Sequence, residues 1–98
     1  MAVVITTRFE VVPSEIEQML ASRNALVSAV RQACPGLTEA RLARVDERVW
    51  IDAWRWDSKE HLQAAVEANV AGKLPEAPAA FAFTKNAVGE SAEIVDER

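Results

Sequence analysis

Asp52 sits in the run Val49-Trp50-Ile51-Asp52-Ala53-Trp54-Arg55-Trp56, whose alternation at strand spacing sends its carboxylate to the same side as three indoles. A carboxylate among flat aromatic walls is a candidate general base, and Arg8, on a first strand expected beside this one, is the candidate cation to steady the anion left by proton removal. Trp54 and Trp56 would wall an aromatic ring, with Thr6 and His61 as further substrate-binding candidates. The set suits a phenol, a quinol or a β-dicarbonyl. Plainer roles stand beside these. Arg8 and Asp52 would also make a structural ion pair across neighbouring strands, Trp50 is packing, and His61 is a surface or cap-adjacent group in the first turn of a helix.

The elements that must position these residues follow from periodicity. Val3 to Val12 alternates, with Val3, Ile5, Thr7, Phe9 and Val11 on one side and Val4, Thr6, Arg8 and Glu10 on the other, which predicts a first strand. Pro13 stops it, and Ser14-x-x-Glu17 has the form of a capping box. Ile16, Met19, Leu20, Leu26, Val27 and Val30 then form one helical stripe that ends at Cys34-Pro35-Gly36. Arg23 falls within that stripe and must snorkel along its stem, pair with an acid or point into a polar cavity, snorkelling being the expectation. Leu37 to Val45 and Arg48 to Asp57 predict a hairpin turning at Asp46-Glu47, and Ser58 caps a second helix that runs to about Gly72. A connector with one short helical turn around Ala79 to Phe83 leads to a last strand from Val88 to Val95, where Gly89 is a candidate bulge. The order β-α-β-β-α-β is the ferredoxin-like split arrangement of an α+β domain. It places two helices on one face of a four-stranded antiparallel sheet, with strands one and three as central neighbours.

Composition narrows the function classes. The 98 residues make one domain, residues 1–98, and half of them are apolar. A net charge of -4 with scattered Arg and Lys leaves no footprint for phosphates, so nucleic acid is not an expected partner. An RNA-recognition module shares the element order but would need a glycine-containing aromatic and basic pattern that Arg48 to Asp57 lacks. No apolar run approaches the roughly 20 residues that span a bilayer, so no membrane partner is expected and the cytoplasm is the default location. Cys34 stands alone, without a CxxC or Cys/His cluster for zinc, and it reads as a small helix-end hydrophobe. There is no glycine-rich phosphate loop, Ser/His/Asp arrangement or HExxH pattern.

The third strand is apolar on both sides, with Val49, Ile51 and Ala53 opposite the indoles. Each Trp can bury roughly 150–250 Å², more in sum than an open sheet face tolerates. The expectation is that a second copy covers the indole face, giving a homodimer with a sheltered chamber between the sheets. The alternative is that the indoles are protomer core beneath the helices and the Val/Ile/Ala face is the exposed one.

The Pro-Gly-Leu at Pro35 to Leu37, the strand Val49 to Trp56 and the Asp57-Ser58-x-Glu60 start of the second helix resemble the antibiotic biosynthesis monooxygenase family of dimeric α/β barrels. The likeness spans Val3 to Val70 and, more loosely, the tail to Val95. It implies a ferredoxin-like protomer, a dimer, and a small aromatic or quinol-like substrate oxygenated without flavin, metal or other cofactor. Arg8 and Trp56 match positions of the family pattern, whereas Thr7 stands where relatives carry Asn and the chain has no tyrosine. Val66 occupies the place of the helix-two histidine of haem-degrading relatives, which argues against haem degradation. Cofactor-free oxygenation needs a substrate that becomes an electron-rich anion, a base, a cation for the oxyanion and a dry space for O₂. Asp52 and Arg8 are the candidates for base and cation. The competing function is a small-molecule binding or sensor domain that uses the same pocket without turnover.

Overall fold

The computed structural model spans residues 1–98 and contains strand β1 (Val3–Glu10), helix α1 (Ile16–Ala33), strands β2 (Leu37–Arg44) and β3 (Val49–Trp56), helices α2 (Lys59–Val70) and α3 (Glu76–Phe81), and strand β4 (Lys85–Glu93). The strands form one antiparallel sheet in the order β2-β3-β1-β4, so β1 and β3 are the central pair, as the ferredoxin-like order requires. The molecule is 19 Å across its thinnest direction, the depth of one sheet and one helix layer. No helix is long and apolar enough to cross a membrane.

The register between β1 and β3 decides which side chains meet. Val3 pairs with Trp56, Ile5 with Trp54, Thr7 with Asp52 and Phe9 with Trp50. These side chains share the face that the helices cover. Trp56 packs with Val3, Leu26, Val30 and Ala65, while Trp50 packs with Phe9, Val11 and Met19. The expectation that a second copy hides the indoles is therefore corrected: Trp50 and Trp56 are core of the protomer itself, and Trp54, half-buried, lies on the same helix-covered face. The physical reason lies in the helices. Over Trp56, Ala65 is the only buried residue of α2, and Ala77 and Ala80 are those of α3, so small residues above leave depth that a large residue below fills.

Local details also differ from the sequence expectation. Ser14 caps nothing: Pro13, with its preset φ, opens a 3-10 turn over Pro13–Glu15, and the Ile16 N–H donates to the Pro13 carbonyl in place of a side chain. Ser58 does cap α2, its hydroxyl oxygen accepting from the His61 N–H at 3.1 Å. Helix α3 starts at Glu76, ahead of the expected turn, and β4 starts at Lys85, ahead of Val88. Gly89 is no bulge, since it pairs regularly with Thr7. The irregularity lies between Arg8 and Glu10, opposite Asn86, whose φ is 53°. Asparagine is among the few residues besides glycine that take this conformation at low cost.

Gly36 turns the chain from α1 into β2 at φ 102°, and a Cβ there would stand 2.5 Å from the His61 Cβ. The glycine therefore serves both the turn and the seat of His61.

Candidate functional site

A cavity of about 220 Å³ opens between the helix face of the sheet and helices α1 and α3. Its floor is Ile5, Thr7 and Phe9 of β1 with Asp52 and Trp54 of β3. Met19 and Arg23 of α1 form one wall, and Ala80 and Phe81 of α3, with Thr84 and Ala87 beyond it, form the other. Phe81 is 57% exposed and so marks the mouth, where the cavity meets solvent.

Two charges stand in this largely apolar space. Arg23 Nε donates to Asp52 Oδ2 and Arg23 Nη2 donates to Oδ1, both at 2.9 Å, a side-on bidentate fork. The two side chains are 14% and 12% exposed, so each charge depends on the other to offset its lost hydration. Arg23 carries five N–H donors, and this fork uses two of them. Both hydrogens of Nη1 and the second on Nη2 have no protein acceptor, which leaves the end-on edge of the guanidinium open to a ligand oxygen.

Of the residues singled out from sequence as site candidates, the structure brings only Asp52 and Trp54 to this cavity. Trp56 lies beside it in the core, 2% exposed, and its indole N–H, like that of Trp50, has no hydrogen-bond partner. Arg8 and Thr6 lie on the opposite face of the sheet. Arg8 is exposed and pairs with Ile51 across the strands, while the Thr6 hydroxyl reaches the Glu90 carbonyl at 3.4 Å. The expected partnership of Arg8 with Asp52, catalytic or structural, is thus corrected: neighbouring strands present paired residues to one face, and the residue paired with Asp52 is Thr7. His61 is half-buried against Gly36, with Nδ1 3.1 Å from the Ser58 hydroxyl, and does not line the cavity.

Of the eleven residues that line the cavity, sequence reasoning selected two, and Arg23, Thr7 and Phe81 are the most telling of those it missed. For Arg23 a clue was present, since a cation four residues from Met19 on a core-facing stripe must snorkel, pair with an acid or point into a polar cavity; it does not snorkel but pairs with the Asp52 carboxylate, at the wall of a cavity that is otherwise largely apolar. Thr7 shares its side of β1 with Phe9, and that parity was also legible. Phe81 belongs to a segment whose contacts arise only in three dimensions.

No protein-family model and no curated protein sequence matches the chain. Solved structures do. SnoaB, a cofactor-independent oxygenase from Streptomyces nogalater, superposes with a TM-score of 0.73 at 21% identity, covering 98% of this chain and 95% of that one. A Caulobacter crescentus protein assigned to the antibiotic biosynthesis monooxygenases gives 0.79 at 16% identity, covering 97% and 91%. A dimeric ferredoxin-like protein from an uncultured marine organism gives 0.73 at 19% identity, covering 99% and 90%. The similarity runs over nearly the whole chain in each case, and at these identities it speaks to architecture. The chain has the ferredoxin-like α+β fold of the antibiotic biosynthesis monooxygenase-like structures.

Proposed function

We propose that the chain is a cofactor-independent monooxygenase-like enzyme that oxidises a small aromatic, quinol or polyketide-like substrate in the cavity over Asp52. The observation that carries this reading is the Arg23–Asp52 fork in an otherwise apolar and aromatic enclosure. A carboxylate and a cation with free donors, side by side and largely shielded from water, are the two groups that anion-forming oxygenation requires. Asp52 takes a proton from an acidic carbon or hydroxyl of the substrate. The open edge of Arg23 holds the oxygen on which negative charge develops, and Trp54 and Phe9 flank the ring. The electron-rich anion passes an electron to O₂, the resulting pair combines to a peroxide, the proton returns from Asp52 to make it a hydroperoxide, and loss of the remaining carbon-bound hydrogen with cleavage of the O–O bond releases water and leaves the carbonyl. For a ring methylene the sum is R₂CH₂ + O₂ → R₂C=O + H₂O, in which one oxygen atom enters the product and the other leaves as water. No step draws on a further reductant.

The fold similarity to SnoaB supports this reading, and the similarity to a dimeric ferredoxin-like structure supports a homodimer. The face available for it is the one without helices, where Val4, Val49, Ile51 and Ala53 are half-buried in the single chain. A second reading, ligand binding without turnover, draws on the fact that both Asp52 oxygens already accept from Arg23.

Oxygen uptake by metal-free protein, measured with a panel of two-ring substrates, 2-tetralones and naphthoquinols, tests the choice. The oxygenase reading expects uptake that falls by about 10²-fold or more in Asp52→Asn, the scale of a general base. Uptake indifferent to that change would remove Asp52 from the chemistry, and no uptake with any member of the panel would leave the binding reading.

A further inference from the structure

Arg23 and Asp52 are the only charged side chains that line the cavity, and they are joined, so the site is neutral in sum before any ligand arrives. The remaining lining is apolar except for the hydroxyls of Thr7 and Thr84. An arriving anion would find attraction at the open edge of Arg23 but would sit beside the Asp52 carboxylate, and the enclosure would then hold one uncompensated negative charge. A neutral ligand with an acceptor oxygen satisfies the same open donors without that excess. If it also carries a hydroxyl, the proton can move to Asp52 and the sum of charges stays zero: the carboxylate becomes a neutral acid as the ligand becomes the partner anion of Arg23.

Size adds a second constraint. An apolar cavity of about 150 Å³ takes up a single benzene ring. A cavity of about 220 Å³ with a mouth at Phe81 has room for one or two fused rings.

Resting on the reading of this cavity as the substrate site, we infer that it selects by charge state: it takes a neutral one- or two-ring aromatic with a carbonyl beside a hydroxyl, and rejects the same ring bearing a carboxylate. Arg23 supplies the acceptor recognition. Asp52 supplies the rejection, and both are specificity-determining.

Two probes of nearly equal shape separate the charge states. 1-Hydroxy-2-acetonaphthone is neutral at neutral pH, and 1-hydroxy-2-naphthoate is ionised and differs by one carboxylate oxygen in place of a methyl group. Titration calorimetry under anaerobic conditions is expected to show the ketone binding about tenfold or more tightly than the naphthoate, a modest share of what a neighbouring like charge imposes in a partly shielded site. In Asp52→Asn, which keeps the side-chain shape and removes the negative charge, the preference reverses in favour of the naphthoate. In Arg23→Lys, which keeps the charge and removes the fork, the ketone loses affinity. Equal binding of the two probes by the unaltered protein overturns the inference, as does a preference for the naphthoate or binding of neither. A ratio unmoved in a folded Asp52→Asn variant overturns it too. Because the readout is heat of binding without oxygen, its failure is distinct from that of the oxygenase reading. A protein that discriminates between the probes yet consumes no oxygen retains the selectivity, and one that oxidises 2-tetralones but ignores charge retains only the activity.

Discussion

At the scale of single residues the Arg23–Asp52 pair is a costly arrangement to bury. Two charges are held with side chains 14% and 12% exposed, and two hydrogen bonds at 2.9 Å are what offset their desolvation. Removing one partner leaves the other buried and uncompensated, so Asp52→Ala is expected to lose about 3–5 kcal/mol of stability, read as a lower urea midpoint. The double change Arg23→Met with Asp52→Leu removes both charges and fills the space, and its midpoint should lie well above that of the single variant. A double variant no more stable than Asp52→Ala would show that the pair contributes by shape and not by charge. A protein with no use for the fork would be as stable with a hydrophobic pair in its place, which is why its presence at a cavity points to ligand chemistry.

At the scale of elements, the β2–β3 hairpin is secured at its turn by one carboxylate. Asp46 Oδ1 accepts from the N–H groups of Arg48 and Val49, each at 2.9 Å. These backbone donors, that of Arg48 first and that of Val49 second, hold the Asp46 carboxyl below its ordinary value. The sign follows from linkage: the folded form binds this proton less readily than the unfolded one, so the contribution is full above the unfolded value and is lost as pH falls through the folded one. Thermal midpoints of the unaltered protein and Asp46→Ala should differ at neutral pH and converge below about pH 4, the ordinary carboxylate range. A gap that persists undiminished in acid would assign the turn's stability to something other than this charge. The hairpin that Asp46 anchors also carries Asp52 and Trp54 of the cavity floor.

At the scale of the whole molecule, 15 of 98 residues are buried, a slim core for a chain that hides only about 60–65% of its unfolded surface. The helix-free face offers half-buried Val49, Ile51 and Ala53, and Val88 on the edge strand β4, beyond β1, is 69% exposed. The proposed homodimer would use this face. Sedimentation at micromolar concentration should then give twice the chain mass, and Ile51→Glu should shift it to monomer while the cavity on the other side of the sheet still binds its probe. A monomer in the unaltered protein would end the proposal. Tryptophan quenching is no guide to assembly here, because Trp50 and Trp56 are 8% and 2% exposed within a single chain.

The strands, the two long helices and their order were legible in the sequence because each is written in a local period, two for β1 and β3 and nearly four for α1. The grouping of Asp52 with Trp50, Trp54 and Trp56 was legible for the same reason. Which face of an apolar strand meets the helices is not a local property. It depended on the depth that Ala65, Ala77 and Ala80 leave open, and so on packing between segments far apart in the chain. The partner of Asp52 was likewise settled in three dimensions. The β1–β3 register rules Arg8 out, and only the docking of α1 on the sheet brings Arg23, 29 residues away, to within hydrogen-bond distance. Periodicity reports the side to which a residue points, and only tertiary packing decides what waits there.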